Sequence, residues 1–181
     1  MVSGPSGVGK STVVDGVLAA TPGLERSVSV TTRARRGREE NGVDYHFLGK
    51  DEFLAMRDEG ALLEWAEVHG NLYGTSASFV EAQLEAGESV LLEIDVQGAM
   101  TVKRRWPDSL LIFIMPPSME ELERRLRERR TDDEETITRR LENAKREIAS
   151  APDYDFRVVN DRLEDCIAET GEIIRGWMSG R

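Results

Sequence analysis

Gly4-Pro5-Ser6-Gly7-Val8-Gly9-Lys10-Ser11 lies between a short stretch, Met1-Val2-Ser3, and a run from Lys10 through Thr12, Val13 and Val14 that suits a helix. The octet fits G-x-x-x-x-G-K-[ST], and strand, glycine-rich loop and helix follow one another in the order a phosphate cradle needs. Glycines let backbone N–H groups converge on phosphate oxygens, and the helix N-terminus adds partial positive charge. On this reading Gly4, Pro5, Ser6, Gly7, Val8, Gly9, Lys10, Ser11 and Thr12 surround the phosphates of a nucleotide, with Lys10 on the outer two phosphates and Ser11 on Mg²⁺. The competing reading is a glycine-rich turn with an incidental lysine. A phosphate loop by itself leaves many nucleotide-dependent functions open.

Downstream, Ser89 to Ile94 and Leu110 to Met115 lack polar alternation, as strands buried on both faces of a parallel sheet do. Val158-Val159 supplies one more strand. Asp95 closes the first of these runs, a position that suits an acid coordinating Mg²⁺ and equally a cap for a helix beginning near Gln97. Ser118 and Thr131 each stand three residues before a glutamate, Glu121 and Glu134, which reads as two capping boxes. Behind them Met119, Leu122 and Leu126 share one helix face, as do Ile137, Leu141, Ala144 and Ile148. A last helix is expected from near Asp161, with Leu163, Ile167, Ile174 and Trp177 inward. Residues 27–80 differ in texture: short strands at Ser27 to Thr32 and Tyr45 to Leu48, a helix from Asp51 to Glu59 stopped by Gly60, then strand and turn from Leu62 to Tyr73. The sum is an α/β fold with a parallel central sheet and an inserted, mixed subdomain.

The 181 residues fit one domain with a sizeable core. A net charge of −10 disfavours nucleic acid and anionic membranes as partners. No apolar run approaches the roughly 20 residues that span a bilayer, and no basic-then-apolar leader opens the chain. The single cysteine, Cys166, excludes an internal disulfide framework and agrees with a cytoplasmic location.

Beyond the loop, the residues become more specific. Ser27-Val28-Ser29-Val30-Thr31-Thr32-Arg33 through Arg36, then Glu39, Asn41-Gly42 and Asp44-Tyr45, resembles the GMP-binding segment of guanylate kinases. So do Glu64-Trp65-Ala66, Gly70-Asn71, Tyr73-Gly74-Thr75, Glu93 to Gly98, and Pro116-Pro117-Ser118. The likeness continues through Arg125-Leu126, Arg129, Thr131, Glu134, Ile137, Arg140-Leu141 and Val159-Asn160-Asp161, in order over nearly the whole chain.

That resemblance implies a three-layer P-loop fold and Mg-dependent transfer of a phosphoryl group from ATP to GMP. The chain then divides into a core (about 1–26, 88–117 and 148–181), a GMP-binding subdomain (about 27–87) and a helical lid (about 118–147). Arg33, Arg36, Tyr45 and Tyr73 resemble the family's clamp on the GMP phosphate, two guanidinium forks with two phenols. Glu64, Ser29 and Thr75 resemble its guanine-reading set: a carboxylate for N1–H and N2–H₂, hydroxyls for O6. Glu93 resembles a further nucleotide contact, Arg129 and Arg140 the lid arginines, and Asn160 the residue beside the ATP base or, equally, a helix cap. With Lys10, the arginines Arg36, Arg129 and Arg140 form the implied catalytic set, and Ser11 with Asp95 the metal pair. A solvated basic loop at Arg33 to Arg38, ordinary core tyrosines and a solvated lid face are the alternatives for these positions. His46 and His69 are read as structural.

Two departures from the family pattern stand out. Only Met1-Val2-Ser3 precede Gly4, so a stub of a first strand is expected, and Arg130 follows the first lid arginine where glycine is common. A protein-interaction module on the same fold, having lost catalysis, is the alternative from another functional class. Such modules typically have degraded loops and lids, whereas Lys10, Ser11, Asp95, Arg129 and Arg140 are all present.

Overall fold

A computed structural model describes residues 1–68, 70–128 and 133–180. Its centre is a parallel sheet of β1 (Val2–Ser3), β2 (Leu24–Arg26), β7 (Ser89–Leu91), β8 (Ile112–Met115) and β9 (Phe156–Val159). β2 pairs with β7, and β8 lies between β1 and β9, all parallel. The two parts join at Val2, which donates to Leu92 O at 2.9 Å and bridges to Glu93, giving the order β2-β7-β1-β8-β9. The first strand is the expected stub.

The continuous apolar run of β8 is explained by burial on both faces. Ile112 and Ile114 face one cluster with Val13, Val14 and Val17 of α1 (Lys10–Ala19), Leu122 and Leu126 of α5 (Met119–Glu128), and Cys166 and Ile174 of α7 (Leu163–Ser179). Leu111 and Phe113 face the other, with Ala77 and Val80 of α3 (Ala77–Glu85) and Ala99 and Val102 of α4 (Val96–Arg105). The period-two alternation thus feeds two helical layers.

A second, mixed sheet has the order β4-β3-β6-β5, from β3 (Val30–Thr31), β4 (His46–Phe47), β5 (Leu62–Val68) and β6 (Asn71–Ser76). β3 runs parallel to β4 and antiparallel to β6, and a register shift between Leu62 and Glu64 interrupts the β5–β6 hairpin. α2 (Lys50–Asp58) buries Phe53 against Val30, Leu62 and Leu72.

Several expectations change. β2 and α3 were not foreseen, and only Val30–Thr31 of the stretch from Ser27 to Thr32 is paired as strand. α6 (Glu134–Ala149) is capped by Asp133, which accepts the Thr136 N–H at 2.8 Å, in place of the Thr131–Glu134 box. Thr131 itself lies outside the described residues, as does His69. Ser118 does cap α5 through the Glu121 N–H at 3.1 Å, while the Glu121 carboxylate is engaged by Arg124 and Arg125. α7 begins at Leu163, after Asp161. Among the described residues no helix is long and apolar enough to cross a membrane.

Candidate active site

Between the two sheets lies a cavity of about 820 Å³. The loop from β1 to α1 forms one wall. Its chain reverses through a Val8 N–H to Pro5 O bond of 3.2 Å, and Gly9 then takes φ 92°, a left-handed conformation at the N-cap of α1. A Cβ on Gly9 would stand 2.7 Å from Asn160 Nδ2, so both conformation and space require glycine here. Because glycine has no side chain to cap with, the first turn of α1 keeps its N–H groups for the cavity, as an anion-binding helix end does. The Lys10 ammonium rests on Gly4 O at 2.9 Å. Val8 is fully buried, and its carbonyl accepts from Asn160 Nδ2 at 2.7 Å, which ties the loop to the end of β9.

α6 closes one side with Arg139, Arg140, Asn143, Arg146 and Glu147. Glu147 accepts the Ser6 backbone N–H and faces Lys10 and Asp95; burial is the main cause of its raised pKa. Asp95 lines the cavity too, with Oδ1 capping α4 through the Gly98 N–H at 2.8 Å. Glu93 accepts from Ser11 Oγ and from Arg26, each at 2.6 Å.

The opposite wall belongs to the mixed sheet. Glu64 is only 5% exposed, and its Oε1 accepts from Thr75 Oγ1 at 2.7 Å. Burial, helped by repulsion from Asp95, pushes its carboxyl up to about 7, against the Thr75 hydrogen bond, which lowers it. Oε2 packs on α4: a Cβ at Gly98 would meet it at 2.5 Å. Ser29, Arg36, Tyr45 and Tyr73 line the same wall, the two phenol rings edge to face at 6.0 Å. Burial raises the Tyr45 phenol pKa.

Residues 1–176 match the family model described as guanylate kinase. The chain belongs to the guanylate kinase family. The guanylate kinase of Rubrobacter xylanophilus is 51% identical over 180 residues, covering 99% of this chain and 94% of that one. That of Chromobacterium violaceum is 50% identical over 175 residues, 97% of this chain and 83% of the relative. The crystal structure of guanylate kinase from Anaplasma phagocytophilum superposes with a TM-score of 0.82 at 39% identity, over 97% of this chain and 82% of that chain.

Within this guanylate kinase fold the expected site residues fall into three groups. Gly4, Pro5, Ser6, Gly7, Gly9, Lys10, Ser11 and Thr12 line the cavity from the loop side. Ser29, Arg36, Tyr45, Glu64, Tyr73, Glu93, Asp95 and Arg140 line it elsewhere. Val8, Arg33, Thr75 and Asn160 stand behind that surface. Arg33, 7% exposed, pairs with Glu39 at 2.7 Å, donates to Ala34 O and lies 5.2 Å over the Tyr45 ring, so it braces the wall from within. Thr75, fully buried, reaches Glu64. Arg129 lies outside the described residues.

Sequence reasoning missed Arg26, Arg139, Asn143, Arg146 and Glu147. On α6 the missed positions follow Thr136 and Arg140 at spacings of three and four, one helical face, which was the available signal. Arg26 had no local signal.

Proposed function

We propose that the chain catalyses ATP + GMP → ADP + GDP, with residues 27–76 holding GMP, the β1–α1 loop holding ATP, and α5–α6 closing over both. The observation that carries this reading is that one cavity brings Lys10 and the loop against a wall containing the buried Glu64 carboxylate. Guanine offers N1–H and N2–H₂ to a carboxylate; adenine offers no such pair, so a buried acceptor at Glu64 selects against it.

In the reaction a GMP phosphate oxygen attacks the γ-phosphorus of ATP, and the bond to the β–γ bridging oxygen breaks to release ADP. The attacking oxygen is already anionic, so no general base is needed. Charge spreads over the transferring group in a loose transition state, which makes positioning and cationic stabilisation the main catalytic work. Lys10 and the N–H groups of the loop act on the donor phosphates. Arg36, with Tyr45 and Tyr73, orients the acceptor phosphate, while Arg33 stiffens Tyr45 through the Glu39 pair. Arg140 on α6 stabilises the transferring group from the lid side.

Ser11 on the loop side and Asp95 at the start of α4 offer oxygen donors to the same cavity, the donor type a hard divalent cation takes, so the set fits Mg²⁺ shared with nucleotide phosphates and water. When bound, Mg²⁺ offsets phosphate charge. Closure of the walls excludes water as a competing acceptor. A coupled ADP-release assay with Mg-ATP and GMP, IMP, AMP or UMP tests the proposal: turnover should be greatest with GMP, and no ADP release above the acceptor-free rate with GMP would overturn it.

A further inference from the structure

A hydroxyl has one proton and two lone pairs, and a cation on its oxygen takes a lone pair. The proton then needs an acceptor that points it away from the cation. At Ser11 that acceptor is Glu93 Oε1, 2.6 Å from Oγ. Glu93 is held in turn by Arg26, whose Nη2 lies 2.6 Å from Oε2, and Arg26 Nη1 lies 2.6 Å from Asp15 Oδ1.

The arrangement follows from the fold. Ser11 and Asp15 are four residues apart on α1, hence on one face. Arg26 stands opposite Leu91 in the parallel β2–β7 pair, and Glu93 is two residues beyond Leu91, on the same side of the strand. That side packs against α1, because Leu91 shares a cluster with Val13, Val14 and Val17. Side-chain exposure falls from 60% at Asp15 through 29% at Arg26 to 16% at Glu93. The network thus runs from the surface to the cavity wall: its middle bond, Arg26 to Glu93, is part-buried, while the Asp15–Arg26 and Ser11–Glu93 bonds at its two ends are exposed.

We propose that Arg26 is a positioning residue for donor binding: by fixing Glu93, it makes Ser11 give its proton to Glu93 and turn its lone pairs toward the divalent cation that accompanies the donor nucleotide. Lys10 contacts phosphate directly; Arg26 acts two steps away, through Glu93 and Ser11. The inference rests on the donor-side reading above, that ATP and its cation lie along the β1–α1 loop.

The test is calorimetric titration of ADP into the full chain without acceptor, in excess Mg²⁺ and in excess EDTA. The quantity read is the Mg²⁺-dependent gain in affinity. Wild type should show a gain, and Arg26→Met should reduce it by roughly tenfold to a hundredfold, as loss of a group that orients a metal ligand does, with the EDTA affinity unchanged. Arg26→Lys should lie between, since one ammonium cannot span both carboxylates. Asp15→Asn, which disturbs only the exposed end, should cost roughly twofold.

An undiminished gain in Arg26→Met, or an equal loss with and without Mg²⁺, overturns the inference and leaves the phosphoryl-transfer reading standing. Wild type that binds ADP without any Mg²⁺-dependent gain also overturns it. Wild type that does not bind ADP at all removes both. Should Arg26→Met not fold, Arg26→Lys decides by the same comparison: a reduced gain supports the role and an undiminished one ends it.

Discussion

On the loop side of the cavity the chain presents backbone, and on the mixed-sheet side it presents side chains. The β1–α1 loop offers N–H groups fixed by Gly9 at φ 92° and by the Asn160 bond to Val8 O. On the proposed reading, specificity there extends to phosphate and no further, since every nucleotide carries the same groups. The facing wall brings together Glu64 of β5, Tyr73 of β6 and Tyr45, the residue before β4, with Thr75 and Arg33 bracing them from behind. A backbone cradle is encoded locally and suits the phosphates of any nucleotide; a side-chain wall depends on the tertiary fold and suits a choice among bases.

The largest expected effect separates the two walls by function. Lys10→Met should lower kcat by roughly 10²–10³-fold, as loss of a group that stabilises transition-state charge does, while GMP affinity stays within about twofold. Calorimetry on GMP alone, beside steady-state kinetics, checks both halves. A large loss of GMP affinity would mean that the loop also builds the acceptor site.

On the other wall, Glu64→Gln removes the ionised acceptor and turns one oxygen into a donor. The value of kcat/KM for GMP should fall about a hundredfold, and the GMP-to-IMP preference should narrow because IMP lacks the 2-amino group. Equal losses for GMP and IMP would move recognition of that edge to another residue. ADP binding should not change.

How far the sequence was legible follows the same division. Gly4 to Ser11 is contiguous, so its order alone carries strand, loop and helix, and the runs at Ser89 to Ile94 and Leu110 to Met115 announce buried parallel strands. β2 was not legible because Glu25 and Arg26 make two of its three residues charged. The inner face of α6 was legible only as amphipathic: Arg139, Asn143, Arg146 and Glu147 turn toward a polar cavity, and periodicity cannot tell such a cavity from solvent. Arg26 was invisible because its partners, Asp15 and Glu93, are 11 and 67 residues away. The mixed-sheet wall was read through family resemblance, and that reading did not foresee that Arg33 and Thr75 would sit behind the surface.

A smaller effect tests how a backbone cradle is supported. Asn160→Ala removes the shorter of two bonds to the buried Val8 carbonyl, which also accepts from Arg125 Nη1 at 3.4 Å, so the change should cost about 1 kcal/mol and lower Tm by a few degrees. ATP affinity should fall only moderately. A strong loss of ATP affinity with unchanged Tm would instead place Asn160 against the base.

A last effect is set by pH and belongs to the side-chain wall alone. The Glu64 carboxyl titrates near about 7 in the folded chain, against 4.5 as its ordinary value, because burial and Asp95 both disfavour its charge. The unfolded chain therefore binds fewer protons at this position between those two values, and the contribution of Glu64 to stability falls as pH rises through that window. At most about 3 kcal/mol is involved, complete above pH 7. Glu64→Gln lacks this titration, so acidification from pH 8 to pH 5 should stabilise wild type relative to the variant. Guanine binding has the opposite sign, because N1–H and N2–H₂ need the ionised carboxylate. GMP affinity of wild type relative to Glu64→Gln should fall about tenfold from pH 8 to pH 6, following the ionised fraction of a group that titrates near 7. The GMP phosphate also titrates near this range, but it does so with both proteins and cancels in the ratio. Chemical denaturation and GMP titration of the two proteins at matched pH values measure both slopes. A pH-independent affinity ratio would show that Glu64 is not the group whose ionisation guanine reads, and the side-chain wall would then lack the electrostatic selectivity that distinguishes it from the loop.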